Sequence, residues 1–98
     1  MLDFDSFISQ IENSCSKYDV RRLTVFGSAL REDFQEASDV DFLVEFHNAK
    51  NGLHRYISLK EELENILNRP VDLVMPDALK NKRLIEHIYE NTRDLYVA

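Results

Sequence analysis

Two apolar runs, residues 23–26 and Val40–Phe46, bracket a segment that opens on Gly27-Ser28 and, after a ten-residue spacing, reaches Asp39-Val40-Asp41. Both runs read as β-strands, so the glycine and serine close one strand and the carboxylates begin the next. Successive side chains of a strand alternate between faces. Asp39 and Asp41 therefore share one face, and Val40, Phe42 and Val44 share the other. Like charges held side by side repel. A fold that accepts this cost commonly does so because a divalent cation binds between the carboxylates. Oxygen-only ligands suit Mg²⁺, which takes one or two carboxylates together with substrate phosphates. The pattern thus points to phosphoryl or nucleotidyl transfer.

Gly27 and Ser28 supply the complementary part. A glycine at a strand end lets the backbone come close to a phosphate, and the N–H groups that follow favour anions. The Ser28 hydroxyl adds a donor. Read singly, Gly-Ser is a turn and Asp-x-Asp is a polar strand edge. The weight lies in their spacing and strand context. A third carboxylate, Asp72, stands alone in the short apolar run 71–74. A charge there is costly unless it is paired or metal-bound. If the third strand lies beside the second, Asp72 meets Asp39 and Asp41 at one end of a mixed sheet.

The remaining pattern is helix, strand, short helix, strand, helix, strand, helix. Phe4, Phe7, Ile8, Ile11 and Cys15 recur at helical spacing and predict an amphipathic helix over 3–17. Strands are expected at 21–26, 39–46 and 71–74, with at most a short helix over 29–34. Leu53, Tyr56, Ile57, Leu63 and Leu67 mark a helix ending near Asn68, capped by Asn51 or a neighbour and stopped by Pro70. Pro76-Asp77 is expected to open a last helix that buries Leu84, Ile85, Ile88 and Tyr89, with a short strand at 94–97. The fold class is therefore α/β (α+β), a small mixed sheet with helices packed on it. Residues 1–98 are expected to form one domain with one core.

Composition excludes several classes. The chain is 44% hydrophobic with two prolines and two glycines, which argues for a compact fold over disorder. It has no apolar run long enough for a membrane span and an acidic N-terminus unlike a signal peptide. The single cysteine, Cys15, cannot form an internal disulfide and fits a reducing cytoplasm. Its place on the apolar face of the first helix reads as a buried small hydrophobe. A net charge of −6 argues against direct nucleic-acid binding but suits a metal–nucleotide substrate or a basic protein partner. His47, His54 and His87 lack metal-ligand spacing, Lys80, Lys82 and Arg83 read as a solvated face, and the four tyrosines as the rim of the core.

Gly27-Ser28, Asp39-Val40-Asp41 and a strand aspartate after Asn68-Arg-Pro-Val71 together resemble the nucleotidyltransferase fold of DNA polymerase β. More closely, they resemble its minimal nucleotidyltransferase branch, single-domain antitoxins paired with HEPN-family toxins. The resemblance runs over residues 23–79. Arg31 and Asp33 occupy two places of an Arg-Gly-Asp motif in which Glu32 replaces the glycine. The resemblance implies that Gly27, Ser28 and Arg31 bind a nucleoside triphosphate. It further implies that Asp39 and Asp41 ligate two Mg²⁺ ions, and that Asp72 binds one of them and helps activate the attacking hydroxyl. AMP from ATP would pass to a tyrosine of a helical HEPN toxin. Larger relatives add a substrate-binding helical domain for which this chain has no room, so the acceptor is expected to be a separate protein. Two alternatives are a small-molecule nucleotidyltransferase of the antibiotic-modifying kind and a non-catalytic antitoxin that acts by occlusion; the intact carboxylate set speaks against the latter.

Overall fold

A computed structural model describes residues 2–32 and 38–98 of the chain. Asp33 and Phe34, both in the expected short helix, lie outside the described residues. The Asp3 carboxylate accepts from the Asp5 amide at 3.2 Å and from the Ser6 hydroxyl at 2.7 Å. That local capping tightens residues Phe4–Phe7 into a 3-10 turn, and α1 proper runs Ile8–Lys17. The expected helix is thus split at its start. Its apolar face is nonetheless the core face, with Phe4, Ile11 and Cys15 fully buried. Burial pushes the Cys15 thiol up to about 12, so it stays protonated as a small apolar group.

Among the described residues four strands form one mixed sheet: β1 Val20–Phe26, β2 Val40–Phe46, β3 Val71–Val74 and β4 Thr92–Val97. Their spatial order is β3-β2-β1-β4. β1 is antiparallel to both β2 and β4, while β2 and β3 are parallel. A parallel pair needs a crossover, and α2, Gly52–Leu67, provides it. β2 begins one residue after Asp39, and β4 is longer than the sequence pattern suggested. Leu23, Val25, Val40, Phe42, Val44, Val71 and Leu73 all bury against α1 and α2. Each such side chain removed from water contributes roughly 1.5–3 kcal/mol before entropy is counted. The opposite, outer face holds the alternating residues Thr24, Asp41, Glu45 and Asp72, together with buried Leu43.

α2 buries Arg55, Leu59, Leu63 and Leu67, one stripe at four-residue intervals. Leu53 is 75% exposed and Ile57 47%, so neither belongs to the core. Asn51 precedes α2 in the left-handed region and its side chain makes no capping bond there. Asn68 ends α2 at φ 54°, a conformation that Asn tolerates, and Pro70 blocks further helix. Tyr18, Tyr56 and Tyr96 pack partly buried against the core, as expected, whereas Tyr89 does not.

The last helix departs most from expectation. Pro76–Ala78 is a separate 3-10 turn, and α3 spans only Lys82–Tyr89. The Asn81 side chain caps it, accepting from the Arg83 and Leu84 amides at 3.0 and 3.3 Å. None of its residues is buried: Leu84 and Tyr89 are each 45% exposed, and Ile85 and Ile88 are half-buried. The physical reason is the surface that it faces. Tyr89 lies among the charges of Glu45, Arg22 and Asp94, polar residues of the outer sheet face.

Candidate active site

The turn after β1 is built around Gly27, whose φ is +77°, in the region that side chains disfavour. A Cβ at this position would stand 2.7 Å from Asp41 Oδ2 and would push that carboxylate aside. The conformation therefore favours glycine, and its missing side chain leaves the Asp41 carboxylate in place. Gly27–Leu30 forms a single 3-10 turn anchored by fully buried Ala29. The Leu2 amide donates to the Ala29 carbonyl at 3.1 Å and the Arg31 amide to the Ser28 carbonyl at 3.0 Å, fixing the turn from both sides. Ser28 Oγ makes a long bond, 3.4 Å, to the Asp39 carbonyl. Its hydroxyl is thus loosely held where the two carboxylate-bearing residues enter β2.

Asp41 pairs with Phe26 across β1 and with Asp72 across β3. The neighbours in register, Val40 with Val71 and Phe42 with Leu73, are buried, so the two aspartates share the outer face. Asp41 is half-buried, while Asp39 and Asp72 are exposed. Burial raises the Asp41 carboxyl above the usual aspartate range, and the charges of Asp72 and Asp39 raise it further. The mutual repulsion expected from the sequence is therefore present. Among the described residues no three acidic, histidine or cysteine side chains converge tightly enough to hold a metal by themselves. The donor set is nevertheless one that suits Mg²⁺: neighbouring carboxylates, two of them exposed. A cation between Asp41 and Asp72 would also remove the repulsion.

Arg31 is exposed and extended just beyond the turn. With Phe26, Gly27, Leu84, His87 and Ile88 it lines a cleft of about 350 Å³ between α3 and the end of β1. Asp33 is outside the described residues. Lys80, Lys82 and Arg83 are exposed and none of them lines this cleft. All three histidines are exposed. Sequence reasoning missed the role of Phe26 opposite Asp41 and the closeness of α3 to Gly27. It also missed buried Thr24, which donates to Asp94 Oδ1 at 2.7 Å on the β4 side of the outer face. The apolar spacing of α3 was the available signal, but that spacing reads equally well as core.

Comparison with known proteins places this geometry in a family. A family model described as a nucleotidyltransferase domain matches residues 8–95. The protein adenylyltransferase MntA of Thermococcus cleftensis is 45% identical over 65 residues, covering 66% of this chain and 65% of that protein. A solved structure provisionally described as a minimal nucleotidyltransferase superposes with a TM-score of 0.73 at 30% identity. It covers 94% of this chain and 95% of its own. A chain from the complex of a tri-AMPylated Shewanella oneidensis HEPN toxin with an MNT antitoxin has the same fold, with a TM-score of 0.62 at 15% identity. That match covers 98% of this chain and 74% of the solved one.

Proposed function

The chain belongs to the nucleotidyltransferase domain family, and from that premise we propose that it transfers AMP from ATP to a tyrosine hydroxyl of a HEPN-type toxin, as the antitoxin of a toxin–antitoxin pair. Two of the similar proteins support the reading: the MntA relative carries the name protein adenylyltransferase, and the solved complex joins an AMPylated HEPN toxin to an MNT antitoxin. The observation that carries it is the register pair Asp41 and Asp72 beside Gly27. Residues 1–98 act in this reading as one minimal nucleotidyltransferase domain working in the cytoplasm. No helix among the described residues is long and apolar enough to cross a membrane.

Asp39, Asp41 and Asp72 are the proposed ligands of two Mg²⁺ ions, which when bound screen the triphosphate and lower the pKa of the acceptor hydroxyl. The N–H groups of the Gly27–Leu30 turn and the Ser28 hydroxyl bind the β- and γ-phosphates. Arg31 adds positive charge beside them. The acceptor oxygen bonds to the α-phosphorus as the bond to the bridging oxygen breaks. Pyrophosphate leaves with that electron pair. Asp72, the more accessible carboxylate of the register pair, takes the hydroxyl proton. Catalysis is then positioning and electrostatics, with no covalent intermediate on the protein.

The test is to mix the chain with its cognate toxin, ATP and Mg²⁺ and weigh the toxin by mass spectrometry. Each transfer adds roughly 330 Da, AMP less water, by the phosphoryl-transfer chemistry above. Asp41→Asn should abolish the gain and leave the complex intact, because it removes a metal ligand and little surface. Undiminished protection of cells by a chain with both Asp39 and Asp41 replaced would show that occlusion, not AMP transfer, disarms the toxin.

A further inference from the structure

We propose that the cleft between α3 and the Phe26–Gly27 corner seats the purine base of the nucleotide. The inference rests on the nucleotidyl-transfer reading and adds a subsite and its residues to it. Gly27 is common to the cleft and to the carboxylate pair: the residue whose missing side chain admits Asp41 also forms the cleft wall. A ligand filling the cleft therefore ends beside Gly27, the residue against which the Asp41 carboxylate packs. At about 350 Å³ the cleft falls within the roughly 300–1,000 Å³ of small-molecule sites.

The lining decides which end of the nucleotide enters. Phe26, Leu84 and Ile88 make apolar walls suited to a flat ring and hostile to a phosphate. Glu90 and the C-terminal end of α3, with its partial negative charge, border the same space and oppose an anion. The triphosphate is thereby directed to the other side of Gly27, where the turn N–H groups and the Ser28 hydroxyl lie. Arg31, also in the lining, provides the charge that joins the two halves. The seat also gives a use to one exposed apolar side chain. Leu84 stays 45% exposed on a helix that contributes nothing to the core, and a bound base would cover it.

The experiment is calorimetric titration of the full chain in Mg²⁺ with two probes, ATP and inorganic tripolyphosphate, which lacks a base. Leu84→Glu should weaken ATP binding roughly tenfold or more while leaving tripolyphosphate unchanged, since it places charge in an apolar pocket wall. Ile88→Ala, a truncation that keeps the helix, should act in the same direction more mildly. Unchanged ATP affinity in both variants, with AMP transfer by the wild type intact, overturns the base seat alone. An equal loss for both probes also overturns it, because the substitution then acts through the phosphate site. Failure of the wild type to bind ATP at all overturns the functional reading and this inference with it.

Discussion

Asp41 shows at the scale of one residue how a site can work against the fold that holds it. Its carboxyl is half-buried behind side-chain-free Gly27, and its pKa is raised by burial and then by the charges of Asp72 and Asp39. A carboxyl with a raised folded pKa binds its proton more tightly in the folded state than in the unfolded chain. Its favourable contribution is complete below the ordinary aspartate pKa and is lost as pH rises through the raised value. Asp41→Asn, which mimics the protonated form, should therefore melt higher than wild type at pH 7. The gain is held to about 1 kcal/mol at most by solvent screening. The two melting curves should converge as pH falls below about 4, the ordinary aspartate range. Thermal scans across pH 3–8, a range set around the ordinary carboxyl and histidine pKa values, would check this. A variant less stable than wild type at pH 7 would mean that Asp41 is a structural anchor. This residue was legible in the sequence because strand alternation sets Asp41 opposite the buried Val40 and Phe42. That Gly27 makes room for Asp41 was not legible, since it depends on how closely β1 and β2 approach at their ends.

At the scale of elements, the same contrast separates β2 and β3 from α2 and α3. A strand advertises its faces by alternation, so the faces of Asp41 and Asp72 follow from two short apolar runs, while their meeting depends on β3 lying beside β2. A helix has a broader stripe, and apolar spacing does not say which of several overlapping stripes the sheet will cover. In α2 the covered stripe includes Arg55, which no hydrophobic pattern would select. Arg55 is 9% exposed, lies over the Phe46 ring, and donates to the carbonyls of Tyr18, Asp19, Asn48 and Lys50. One guanidinium thus ties the turn after α1 to the loop before α2. Arg55→Ala should cost roughly 2–4 kcal/mol, since it strands several backbone acceptors in a part-buried site. Arg55→Lys should recover only part of that, because an ammonium cannot reproduce the planar fork. Urea unfolding of the two variants measures the difference, and full recovery by lysine would reduce Arg55 to a simple positive charge. A second tie joins the helices directly: Glu62 of α2 accepts from Ser14 at 3.0 Å, Lys17 at 3.2 Å and Tyr18. The Tyr18 hydroxyl does most to hold the Glu62 carboxyl below its ordinary range, so this tie is present above the ordinary glutamate pKa. It weakens as pH falls through the lowered value.

At the scale of the whole molecule, eighteen acidic side chains face twelve basic ones, and part of the surplus is gathered at the sheet end where Asp39, Asp41 and Asp72 lie. A net charge of −6 is compatible with a metal–nucleotide ligand or a basic partner, but the sequence could not say that among the described residues the carboxylates stop short of a self-sufficient metal cluster. That shortfall has a thermodynamic consequence. If phosphate oxygens must complete the coordination, neither ATP nor Mg²⁺ binds well alone, and their joint binding stabilises the fold by mass action. At a hundredfold excess over Kd the gain is about 2.7 kcal/mol, or on the order of 10 °C in melting temperature for a domain of this size. ATP in EDTA should give little of this shift, and Mg²⁺ without nucleotide should also give little. The Asp41→Asn chain should start higher and move hardly at all, because it has shed both the repulsion and a ligand. The order of melting temperatures for wild type and variant should therefore reverse between EDTA and saturating MgATP. An equal shift by ATP with and without Mg²⁺ would show that the nucleotide is held by the Gly27–Leu30 turn and Arg31 alone, with the carboxylates as bystanders.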